Sequence, residues 1–75
     1  MEEIIYMKLT IGEKITRLRK QAGKTEAELA AHLRMNLDTY QKLEEDFTYP
    51  NDNQITRIGK FYGMSYQEVL ATGED

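Results

Sequence analysis

Apolar residues recur every three or four positions along most of this chain. Ile11, Ile15, Leu18 and Ala22 form one stripe, and Ala27, Leu29, Ala30 and Leu33 a second. Leu37, Tyr40 and Leu43 form a third, Ile55, Ile58, Phe61 and Tyr62 a fourth, and Val69 with Leu70 a short fifth. This spacing follows the helical repeat and gives each segment one apolar face. It predicts five helices, over 11–22, 26–33, 37–45, 52–62 and 66–71. The starts of these segments are marked as well. Thr10…Glu13, Thr25…Glu28 and Ser65…Glu68 have the spacing of capping boxes. In such a box the hydroxyl accepts from a first-turn N–H while the Glu side chain accepts from the N–H of the cap. Asn36 and Asn51 are candidate caps for the remaining two helices. Met35 with Tyr40 and Met64 with Val69 are placed to form hydrophobic staples. Gly23 and Gly63 suit left-handed C-terminal positions.

The first ten residues break the helical pattern. Ile5, Met7, Leu9 and Ile11 alternate with Ile4, Tyr6, Lys8 and Thr10, a period of two. We expect an extended N-terminal arm over 1–10. Three readings stay open: a strand that pairs with its copy in a homodimer, a frayed tail, or a start-site artefact, since Met7 could itself begin a chain. The organisation is then an arm (1–10), one all-α helical domain (11–72) and a short tail (73–75).

Composition narrows the function classes. The chain has 75 residues, no cysteine and one histidine, His32. One small domain fits that length. A disulfide framework and a cysteine zinc site are excluded, and no cofactor is expected. The apolar runs are too short for a membrane span, and we expect no signal peptide, hence a cytoplasmic setting. The net charge of −3 speaks mildly against a nucleic-acid partner, but the charge is unevenly spread. Residues 14–24 carry Lys14, Arg17, Arg19, Lys20 and Lys24 and no acid. Residues 26–54 carry seven acids against Arg34 and Lys42. Nothing resembles a nucleophile–base pair, a metal cage or a phosphate-cradling glycine loop, so no enzymatic activity and no small-molecule substrate are expected. His32 is expected on an exposed helix face, and Tyr40, Phe61 and Tyr62 in the core.

The second and third predicted helices are short, with only Arg34, Met35 and Asn36 between them. Two helices joined by so short a turn cross at a wide angle, the helix-turn-helix geometry. Around that unit stands an ordered set of residues. It runs Ile11-Gly12-Glu13, Arg19, Gly23, Thr25, Glu28-Leu29-Ala30, Leu33, Leu43-Glu44, Pro50, and Gly63-Met64-Ser65 followed by Glu68-Val69-Leu70. With this set the chain resembles the lambda-repressor-like helix-turn-helix family, that of Cro and the phage repressors, without a gap from Ile11 to Leu70. The resemblance implies a five-helix fold in which the third helix is the recognition helix. It also implies that Arg19 pairs with Glu44.

That resemblance implies a small DNA-binding transcriptional regulator, acting as a homodimer on a two-fold operator in a bacterial, phage or mobile-element setting. Base edges would be read by Asn36, Leu37, Asp38, Gln41 and Lys42, at the start of the recognition helix. Phosphates would be met by Arg17, Arg19, Lys24, Thr25, Arg34 and Thr39. Four acids point the other way: Glu26, where a neutral polar residue is common, Asp38, and Glu45 and Asp46 at the end of the recognition helix. Arg34 and Asp46 also stand where the family usually has glycine. The alternative is a protein-interaction module on the same fold, an antirepressor or regulatory subunit with weak or no DNA binding. Fold alone does not decide between the two.

Overall fold

In a computed structural model, which describes residues 8–74, the chain forms α1 (Ile11–Gln21), α2 (Glu26–His32), α3 (Leu37–Glu44), α4 (Asp52–Tyr62) and α5 (Tyr66–Leu70). Each differs from the sequence expectation by at most one residue at an end. No strand occurs among the described residues. The expected arm lies mostly outside them, and its last residues, 8–10, are irregular.

The caps explain why the helices begin where they do. Thr10, Thr25 and Ser65 accept from the backbone N–H of Glu13, Glu28 and Glu68, and each Glu accepts in return from the cap N–H. Asn51 forms the same reciprocal pair with Gln54. Asn36 accepts from Thr39 without the return bond. Such contacts satisfy donors that a helix start leaves open, each contributing about 1 kcal/mol. Gly63 ends α4 in the left-handed region at φ 72°.

The core is small. Ile15, Leu29, Tyr40, Ile55, Ile58 and Val69 are fully buried, with Ile11, Leu18, Ala30, Leu33 and Leu43 around them. Ala22 and Ala27, read as stripe positions, are exposed. Both lie at helix ends, where the apolar face has already turned from its neighbours. Ala30, on α2, is buried in this core.

Lys14 is the buried exception among the charged residues. Its Nζ donates to the Leu70 carbonyl at the end of α5, and to Glu74 Oε2 at 3.0 Å. The positive charge thus sits at the negative end of a helix and beside a carboxylate. His32 departs from the expected exposed position. It is half-buried, its ring centroid lies 4.6 Å from that of Phe61, and its Nε2 is 2.7 Å from the Arg57 carbonyl. Arg57 Nη2 in turn donates to the His32 carbonyl at 3.3 Å, so α2 and α4 are cross-tied.

Candidate nucleic-acid interface

α3 is held to the domain by Tyr40 and Leu43, with Glu44 enclosed at its end, and much of its remaining surface faces outward. Asn36, Asp38, Thr39, Lys42 and Glu45 are exposed, Leu37 is 43% exposed, and Gln41 is half-buried. Of the base-reading set named from the sequence, Leu37, Asp38, Gln41 and Lys42 therefore lie along one side of α3, and Asn36 stands at its start. Asn36 is also the cap of α3, through Thr39 N at 2.8 Å. Asp38 and Lys42 sit one turn apart with 3.7 Å between their charged groups.

The position of α3 is fixed from α1 at two points. The first is the Arg19–Glu44 pair that the family resemblance implied. Arg19 Nε donates to Glu44 Oε2 at 2.7 Å and Nη2 to Oε1 at 3.2 Å, a two-pronged contact. The Tyr40 hydroxyl donates to the same carboxylate, and Arg19 Nη1 donates to the Lys24 carbonyl at 3.1 Å. Both charged side chains are largely enclosed, at 13% and 6% exposure. Burial alone would raise the Glu44 carboxyl, but hydrogen bonds from Arg19 and Tyr40 outweigh it and hold the group below its ordinary value. The Glu44 hydrogen bond moves the Arg19 guanidinium up. Burial, then the bond to Glu44, raises the Tyr40 phenol.

This sets a pH dependence. A carboxyl that is more acidic folded than unfolded adds stability that is complete above its unfolded value, near 4.5. That stability drains away as the pH falls through the lower folded value. Urea midpoints of the wild type should therefore decline below about pH 4.5, and those of Glu44→Gln should decline less steeply. Equal slopes would mean that Glu44 is not the titrating group.

The second point is Asp46. It adopts φ 63°, the left-handed region. Its Oδ1 accepts from Gly12 N at 2.9 Å and its Oδ2 from Thr10 Oγ1 at 2.6 Å. From sequence it read as an acid near the DNA backbone. The structure turns its carboxylate onto the N-terminus of α1, where a negative charge is favoured. Gly12 has to be glycine because the segments touch here. A Cβ on it would lie 2.4 Å from the Glu44 carbonyl oxygen and 2.8 Å from Asp46 Cγ.

Around α3, the exposed residues Lys24, Thr25 and Arg34 lie at the start of α2 and in the α2–α3 turn. The Thr25 hydroxyl is the cap of α2. Arg34 is left-handed at φ 59°, so the turn has the conformation glycine would supply, held by another residue. Arg17 stands apart from this set. It is exposed on α1 with Leu9, Thr16 and Lys20 along a shallow cleft, close to Gly73. It lies two residues from Arg19, roughly 200° round the helix from the face that meets α3. No group of His, Asp or Glu suited to a metal occurs among the described residues.

A family model described as a helix-turn-helix domain matches residues 10–72. The chain belongs to the helix-turn-helix domain family. The all-α fold and the resemblance to the Cro and repressor type stand with that match. No curated protein and no solved structure gives a significant match to this helix-turn-helix chain. No helix among its described residues is long and apolar enough to cross a membrane.

Proposed function

We propose that this helix-turn-helix protein is a DNA-binding transcriptional regulator of bacterial or mobile-element origin, acting in the cytoplasm as a homodimer on a two-fold operator. One observation carries the reading: the polar surface of α3 is open, and two of the four acids that counted against DNA are engaged by the protein itself, Asp46 on the start of α1 and Glu26 on Gln41 and Arg19. Of the other acids, Glu44 pairs with Arg19, Glu28 completes a cap, and Asp52 accepts from the Tyr66 hydroxyl. Glu45 remains exposed, and Asp38 is exposed beside Lys42. In this reading Asn36, Leu37, Asp38, Gln41 and Lys42 meet base edges from the major groove. Lys24, Thr25, Arg34 and Thr39 meet phosphates on either side, Arg19 does so through its remaining N–H groups, and Arg17 contributes least. Half-sites would lie ~34 Å apart, one turn of duplex.

The test is retention of random duplex DNA at low salt. Log affinity is expected to fall linearly with log salt, with a slope of about 0.9 per phosphate contact. Lys24→Ala should weaken all sequences alike and reduce that slope by about 1. Absence of retention of any duplex at low salt sinks the proposal. A second reading, a protein-interaction module, is favoured by Phe47 and Tyr49, which are 75% and 72% exposed in the loop after α3. Flat salt dependence together with a stable complex with a second helix-turn-helix protein would support it.

Arg34 separates binding from folding. A non-glycine residue held left-handed costs ~1–2 kcal/mol, and glycine loses about 0.5–1 kcal/mol of chain entropy there instead. Arg34→Gly is therefore expected to keep or raise stability in urea, by up to about 1 kcal/mol, while lowering affinity for all duplexes. Unchanged affinity would remove Arg34 from the phosphate set.

A further inference from the structure

Glu26 and Gln41 meet across the angle between α2 and α3. Gln41 Nε2 donates to Glu26 Oε1 at 3.0 Å. The other carboxylate oxygen of Glu26 faces Arg19, with 4.0 Å between Oε2 and Nη2. Glu26 thus joins Gln41 to Arg19 in a chain of polar contacts that continues to Glu44 and Tyr40. Its side chain is 36% exposed, and Arg19 offsets part of its charge.

A carboxylate can only accept hydrogen bonds, whereas a Gln amide offers an acceptor at one end and donors at the other. Turning the Gln41 amide over would set its oxygen against the Glu26 oxygen. The contact therefore fixes which end of the amide is held by α2, and Oε1 makes no hydrogen bond among the described residues. We propose that Glu26 is a specificity-determining residue, acting through Gln41: it orients that amide so that its oxygen reads an exocyclic amino group in the major groove, adenine N6 or cytosine N4. This rests on the DNA-binding reading above and adds to it which bases one position of the recognition helix prefers. In the major groove, guanine and thymine offer acceptors where adenine and cytosine offer an amino donor, so a fixed oxygen discriminates between the two pairs. Glu26 is then a positioning residue rather than an acid that repels phosphate.

The two roles are separated by a comparison of wild type, Glu26→Gln, Glu26→Ala and Gln41→Ala, each run through selection from random duplex DNA. The side-chain amide protons of Gln41 are followed by NMR in the free proteins. Both Glu26 variants remove the same charge. Glu26→Gln keeps an acceptor for Gln41 but allows either amide orientation, and Glu26→Ala removes the contact.

The expected result is one operator position where the wild type prefers adenine or cytosine roughly ten-fold. That preference is lost in Gln41→Ala and Glu26→Ala and reduced in Glu26→Gln. The Gln41 amide proton shifts of the wild type should move in Glu26→Ala without any DNA present. The proposal is overturned if both Glu26 variants raise affinity for every sequence alike and leave the preference intact, since Glu26 would then act by charge alone. Unmoved Gln41 amide shifts would overturn it as well. Failure of the wild type to retain any duplex overturns the DNA-binding reading and this inference with it. That outcome is distinct, because the NMR comparison still reports whether Glu26 holds Gln41.

Discussion

Glu44→Ala is expected to leave the protein largely unfolded at room temperature. Removing one member of an enclosed ion pair costs about 3–5 kcal/mol, because the other charge is left without its partner. Here that charge is Arg19, at 13% exposure. The fully buried Tyr40 would lose the acceptor for its hydroxyl at the same time. A domain of this length nets only ~3–5 kcal/mol from its core, so the loss is of the same size as the whole. Far-UV circular dichroism against urea gives the answer. A variant within about 0.5 kcal/mol of wild type would show that the pair is incidental to stability. The triple change Arg19→Met, Tyr40→Phe and Glu44→Leu should recover most of the loss, since an apolar set of similar volume carries no desolvation cost. Recovery would locate the effect in unpaired polar groups rather than in lost volume.

Gly12→Ala is the second large effect, and its sign is the informative part. Within a helix, Ala is favoured over Gly by about 1 kcal/mol, so propensity alone predicts a gain. The seam between α1 and the end of α3 reverses this. The new Cβ would lie 2.4 Å from a backbone oxygen, and backbone cannot move aside as a flexible side chain can. Relief requires α1 and α3 to separate, which strains the Arg19–Glu44 fork and the Asp46 contacts to Gly12 N and Thr10. The expected cost is about 1–3 kcal/mol net, read from the urea midpoint. A stabilised Gly12→Ala would mean that the two helices are not in contact at this point.

These two sites show what was legible in the sequence. Helix positions and caps were readable because each depends on residues three or four apart, as in Thr10 and Glu13. The helix-turn-helix was readable because its turn is short and the flanking stripes are clear. The Arg19–Glu44 pair followed only from the family resemblance, since nothing local ties two residues that far apart. Asp46 was misjudged for the same reason. Its partners, Thr10 and Gly12, stand more than thirty positions away, and an acid after a recognition helix reads as surface charge until the loop's path is known. His32 was placed outside because nothing within α2 shows that its position is covered; Phe61 and the Arg57 carbonyl come from α4. Lys14 read as one of the basic residues of the 14–24 block, whereas the end of α5 and Glu74 enclose it. The Gln41–Glu26 contact could not be read either, because it depends on the angle at which α2 and α3 cross.

The two attachments between α1 and α3 have a consequence for docking. Glu44 is gripped from the last turn of α1 and Asp46 from its first turn, so the C-terminal end of α3 is pinned in both translation and rotation. The exposed surface of α3 and the first helix then move as one rigid block. Seating that block on a partner freezes few backbone degrees of freedom, and the ordering cost falls on exposed side chains such as Lys42, at roughly 0.5–1.5 kcal/mol each. A contact patch made of a handful of residues can then retain a useful share of its gross interaction energy.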